Sequence, residues 1–144
     1  MRCVKCLSIV AILAGLVTPA LAADVTVGDG WFRALPAGLP AGGYFTLHNN
    51  TGKDIALTGA SSPACGMVML HMSMNMGGTS SMMDVNSVAV PAHGEVAFKP
   101  GGYHLMCMHP AGAMKPGAKV GVTLEFAGGT KADAMFAVKD AKGE

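Results

Sequence analysis

An all-β fold, a sandwich with Greek-key-type connections, is predicted by three observations on this 144-residue chain. Short apolar runs alternate with period two, a turn signal follows nearly every run, and few windows carry helical periodicity. The 20 glycines and 8 prolines are spread as punctuation and nowhere form a linker, so a single domain is expected.

The N-terminus stands apart from this pattern. Arg2 and Lys5 precede an apolar run over residues 7–17, and Pro19-Ala20-Leu21-Ala22 ends in an Ala-x-Ala cleavage signal. Residues 1–22 are therefore expected to be a cleavable signal peptide, with Ala23 as the first mature residue. The apolar run is too short and wrongly flanked to span a membrane, and no other segment is a spanning candidate. Export to the periplasm, or an equivalent space, follows from that reading.

Strands are expected in order over residues 25–27, 43–48, 55–58, 66–71, 85–90, 94–99, 103–108, 119–126 and 131–138. Gly28-Asp29-Gly30 reads as the turn after the first. Asn49-Asn50-Thr51-Gly52 reads as the turn after the second, and Pro100-Gly101-Gly102 as the turn before 103–108. The tail 139–144 is polar and outside the core.

Charge excludes one class of function. Loss of residues 1–22 removes Arg2 and Lys5, leaving 8 basic against 9 acidic residues, a net charge of about −1. No basic face for nucleic acid is expected. Two cysteines remain, Cys65 and Cys107. In an oxidising compartment they pair most simply as a disulfide; the alternative is that Cys107, between Met106 and Met108, is a free or metal-facing thiol.

The chemistry is concentrated in two places, His71-Met72-Ser73-Met74-Asn75-Met76 and His104-Leu105-Met106-Cys107-Met108. On a strand, His104, Met106 and Met108 share one face, and Tyr103, Leu105 and Cys107 the other. His71, ten residues, Met82, twenty-one residues, His104, one residue, Met106 then reads as four soft-to-borderline ligands without a carboxylate. Thioether with imidazole favours Cu(I); Cu(II) prefers more nitrogen and oxygen. Ligating imidazoles must be neutral, so affinity is expected to fall below about pH 6.

Other candidates have plainer readings. Met67 and Met69 are expected in the core, and Met114 and Met135 as filler. His48 suits a strand-end hydrogen bonder, His93 an exposed turn, and His109 is a lesser ligand candidate. Met72, Met74 and Met76 form a second cluster of thioethers. No Ser-His-Asp set, no His-Glu-x-x-His and no paired carboxylates occur, so no enzyme is expected. Cys107-Met108-His109 with Met114 mimics the ligand order of a blue-copper centre, but with only one residue between Cys107 and His109.

At this point the chain resembles the PCuAC periplasmic copper chaperones. The resemblance is carried by Gly43-Tyr44-Phe45-Thr46-Leu47-His48-Asn49, Gly59-Ala60-Ser61-Ser62-Pro63-Ala64, the His71–Met76 cluster and Lys99-Pro100-Gly101-Gly102-Tyr103-His104-Leu105-Met106. It implies a cupredoxin-like β-sandwich over residues 23–144 that binds one Cu(I), with Cu(II) as the other state open to it. It implies His71, Met82, His104 and Met106 as ligands, with Met83 adjacent to the second. It further implies delivery to a copper acceptor, either the copper subunit of cytochrome c oxidase or a Sco-type protein; a general copper buffer would use the same ligands. Cys65 and Cys107 stand where the family commonly has small or aliphatic residues, which suggests that they meet.

Overall fold

Period-two alternation is visible directly in the burial of the strands. In β9 (Lys119–Phe126), Val120, Val122, Leu124 and Phe126 are buried while the intervening residues are not, which places every second side chain in the core. The computed structural model describes residues 23–144; the expected signal peptide lies outside the described residues. The elements before β9 are β1 (Val25–Arg33), a 3-10 turn (Pro36–Gly38), β2 (Ala41–Asn49), β3 (Ile55–Ser61), β4 (Cys65–Met76), β5 (Thr79–Asp84), β6 (Val88–Val90), β7 (Glu95–Phe98) and β8 (Tyr103–Pro110), and β10 (Lys131–Lys139) closes the chain. No helix among the described residues is long and apolar enough to cross a membrane.

The strands run in the order β5-β4-β8-β2-β1-β10-β9-β3-β6, with β7 against β2. A further pairing of Ala60 with Val68 brings β3 back to β4. The sheet thus wraps on itself as a cupredoxin-like sandwich in one domain. The pairing of β1 with β10 is parallel, and the others are antiparallel. Inside lie Phe32, Phe45, Leu47, Leu57, Phe98, Leu105, Leu124 and Phe136. Phe45 stacks on Phe98 at 4.4 Å between centroids. Asn49 is buried but satisfied. Its amide donates to the carbonyls of Lys53, Val90 and Pro91, and its Oδ1 accepts from Thr51, so the turn after β2 is fastened to the strand beyond it.

Three expectations need correcting. Gly28-Asp29-Gly30 is a bulge within β1, where the register against β2 jumps between Gly28 and Trp31 and Asp29 takes φ 52°. Gly30 is required there, since a Cβ would stand 2.5 Å from the Phe136 ring. The fourth strand continues through the methionine cluster to Met76 and turns into β5, which was not among the expected strands. Gly77 and Gly78 make that turn with φ 61° and 87°, the left-handed pair that a two-residue type I′ hairpin requires. Met67, 53% exposed, faces outward from β4 opposite Met108, and Met69, opposite Met106, projects from the same face, so neither belongs to the core as expected.

Cys65 and Cys107 form a disulfide with their Cα atoms 5.4 Å apart. Cys107 is fully buried, so the alternative of a free or metal-facing thiol falls away. The bridge joins the start of β4 to the later part of β8. Closing a loop of sequence separation 42 corresponds to about 4 kcal/mol in the chain-entropy model.

Candidate metal centre

The register of three neighbouring strands assembles the donors. Against β8, β4 sets Met69 opposite Met106 and His71 opposite His104. Against β5, it sets Ser73 opposite Met82 and His71 opposite Asp84. Directly opposed residues share a face, so His71, Met82, Asp84, His104 and Met106 all project from one side of the sheet. Leu70, Leu105 and Cys107 project from the other side and are buried in the core.

Met82, His104 and Met106 line one cavity of about 320 Å³, together with Arg33, Gly42, Tyr44 and Ser73. Gly42 leaves its floor open. A Cβ at that position would lie 2.6 Å from the Tyr44 hydroxyl. His71 does not line the cavity. It stands beside His104, ring edge against ring face, with centroids 5.7 Å apart and planes at 80°. Met83 faces the other way, opposite Met72. Met82 is 61% exposed and His104 only 4%.

The two imidazoles are differently held. His104 Nδ1 lies 3.1 Å from the Gly102 carbonyl. Donation of Nδ1–H to that oxygen fixes the tautomer and leaves a lone pair on Nε2. Burial holds the His104 pKa below the ordinary histidine value; the Gly102 hydrogen bond opposes this, and the nearby His71 adds a smaller lowering. At neutral pH this ring is therefore neutral. His71 is the opposite case. Asp84 Oδ1 comes within 2.8 Å of its Nε2, but out of line, and neither buried ring nitrogen makes a hydrogen bond. Asp84 thus faces Nε2 as a charge partner, while Nδ1 has no partner among the described residues and is the ring nitrogen left open to a ligand.

No group of three His, Cys, Asp or Glu that could hold a metal occurs among the described residues. A metal held here would need thioethers, and the arrangement of two imidazoles flanked by Met82 and Met106 offers them. The donor set fits a soft cation. The remaining histidines lie elsewhere: His48 pairs with Glu95 at 3.0 Å, and His93 and His109 are exposed at positions with φ 53° and 50°. Sequence reasoning missed Arg33, Tyr44 and Asp84. Asp84 was within reach of it, since period two from Met82 on a strand leads to residue 84. Arg33 and Tyr44 reach the site through pairing of distant strands, which local spacing does not encode.

Comparison with known proteins agrees with this architecture. The model of the "Putative lipoprotein LpqE-like" family matches residues 25–138. A protein of Leifsonia xyli subsp. xyli named "Putative lipoprotein Lxx21020" is 31% identical over 156 residues, covering 99% of this chain and 93% of that one. The solution structure of the Cu(I) form of DR1885 from Deinococcus radiodurans is 30% identical and superposes with a TM-score of 0.66, covering 83% of this chain and 81% of that one. The copper-bound PCuAC domain from PmoF2 shares the fold at 20% identity and a TM-score of 0.68, over 84% of this chain and 97% of that one. A sandwich of this topology, matched by the family model along nearly all its described length, places the chain in the LpqE-like family, whose structural relatives are PCuAC domains.

Proposed function

We propose that the protein is an exported copper carrier that binds one Cu(I) through His71, Met82, His104 and Met106 and passes it to an acceptor protein. The observation that carries this reading is the pairing of two differently held imidazoles on adjacent strands, one of them with an unpartnered Nδ1, beside a cavity lined by two thioethers. Such a donor set suits a d10 cation in three- or four-coordination. The relatives described as Cu(I)- and copper-bound support it, and the relatives named as lipoproteins support export. Ligand exchange without a change of oxidation state is the mechanism: an incoming donor binds the ion as the exposed Met82 thioether leaves. Among acceptors, the copper subunit of cytochrome c oxidase and Sco-type proteins fit this chemistry.

A blue-copper electron carrier is disfavoured. That centre needs a cysteine thiolate, and Cys107 is committed to a disulfide on the opposite face of β8.

The test is anaerobic Cu(I) titration with X-ray absorption on the protein of residues 23–144 and on His104→Ala and Met106→Ala variants. One copper with mixed sulfur and nitrogen scattering is expected, weakened in both variants. Unchanged binding in both would refute the ligand assignment.

A further inference from the structure

The cavity beside the thioethers has a positively charged wall. Arg33, on β1, lines it along with Met82, His104 and Met106. Its guanidinium carbon sits 5.4 Å from the Trp31 ring centroid and 5.5 Å from that of Tyr44, so two aromatic faces hold the group in place. Lys139, opposite Arg33 in β10, has its Nζ 5.0 Å from the Trp31 ring centroid. Neither cation has a carboxylate within 4 Å among the described residues, where the ion pairs are His48–Glu95, His71–Asp84 and Lys131–Glu125. The Arg33 Nε is buried and has no hydrogen-bond partner.

A fixed cation beside a cation site is unfavourable unless an anion joins them. Acids outnumber bases by 9 to 8 over residues 23–144, yet among the described residues none pairs with Arg33 and none lines the cavity. We infer that the cavity receives an anionic donor group of the copper acceptor, a partner protein that presents a thiolate flanked by acidic residues, and that Arg33 draws and orients that group. This rests on the copper-carrier reading above. The exposed Leu35, also on the cavity wall, gives the partner an apolar contact beside the charge. In the exchange, Cu(I) keeps its oxidation state. A bond to the incoming anion forms, the Met82 sulfur bond breaks, and Arg33 balances the added negative charge.

Two phenanthroline-type Cu(I) chelators serve as probes: anionic bathocuproine disulfonate and uncharged neocuproine. Cu(I) is loaded first, and its withdrawal is followed by stopped-flow absorbance at low and high salt. Withdrawal by the anionic chelator is expected to slow by about tenfold from low salt to roughly 0.5 M salt, and the uncharged chelator to change less than about twofold. Arg33→Gln should slow the anionic chelator by about five- to tenfold at low salt with the uncharged one unaffected, and Arg33→Lys should keep most of the preference. Equal effects on both chelators, or no salt dependence in the unaltered protein, would overturn the inference. Failure to load Cu(I) at all would overturn the carrier reading itself, which separates the two. The salt series on the unaltered protein decides the matter even if Arg33→Gln disturbs the stack on Trp31.

Discussion

β8 and β5 flank β4 on opposite sides, and each contributes a donor to the same cavity, but they hold those donors in different ways. β8 is an inner strand, paired on both sides by β4 and β2. Its Leu105 and Cys107 are fully buried, and its His104 is fixed by the Gly102 carbonyl. β5 is the edge of the sheet, and all six of its residues are exposed. A donor on β8 is positioned by the core of the protein, whereas Met82 on β5 is positioned by one hairpin. One side of the cavity is thus anchored in the core and the other is held at an exposed edge, which, on the copper-carrier reading, suits a ligand set that binds an ion and then releases it.

The contrast predicts where substitutions hurt. Leu105→Ala should cost about 2–5 kcal/mol in urea unfolding, from lost burial and the cavity left behind. Cys65→Ser with Cys107→Ser should cost about 4 kcal/mol by the loop-entropy argument. Met82→Leu on the edge should stay within about 0.5 kcal/mol. Comparable losses on both strands would erase the distinction between them.

Affinity should follow the same division, with a smaller spread. On the copper-carrier reading, His104→Ala should weaken Cu(I) by about 100-fold and Met82→Leu by about tenfold, which is a difference of about 1.4 kcal/mol. Competition against a chromogenic Cu(I) chelator measures both, and a reversed order would make β5 the anchoring side.

The smallest effect expected is on pH. His104 has a folded pKa below its unfolded value of 6.5. Below that value the unfolded chain binds the proton more readily than the folded one, so the contribution of His104 to stability is complete above about pH 6.5 and is lost as pH falls through the lower, folded pKa. Urea midpoints from pH 7.5 down to 5 should therefore decline, and less so in His104→Gln. A decline of the same size in that variant would assign it to other groups.

Much of this was legible in the sequence, for identifiable reasons. Alternation in 103–108 separated His104 and Met106 from Leu105 and Cys107 without any tertiary knowledge, because the period of a strand is two. The expected ranges for β9 and most of β10 match the observed strands, since both end at clear glycine or charged turns. β5 was not legible. Thr79-Ser80-Ser81-Met82-Met83-Asp84 is polar and wholly exposed, and its strand state comes from pairing with β4 across the Gly77-Gly78 turn. The bulge at Asp29 was hidden for a similar reason: Gly-Asp-Gly signals a left-handed residue, and only the register against β2 decides whether the chain turns back or runs on. The wall of the cavity was the least accessible part, because Arg33 and Tyr44, on the consecutive strands β1 and β2, join His104 only through the pairing of β2 with the distant β8.

On the copper-carrier reading, the bridge between Cys65 and Cys107 bears on how an ion is captured. It ties β4 to β8, the two strands that carry His71 and His104, and so reinforces the register that already sets the imidazoles side by side. The ordering entropy of the two nitrogens is then spent during folding, and capture has only the edge thioether left to organise. A scaffold finished in this way has no need of the ion to complete its fold. The empty and loaded proteins would differ chiefly along β5, and a carrier that returns empty from its acceptor would be ready for the next ion without refolding.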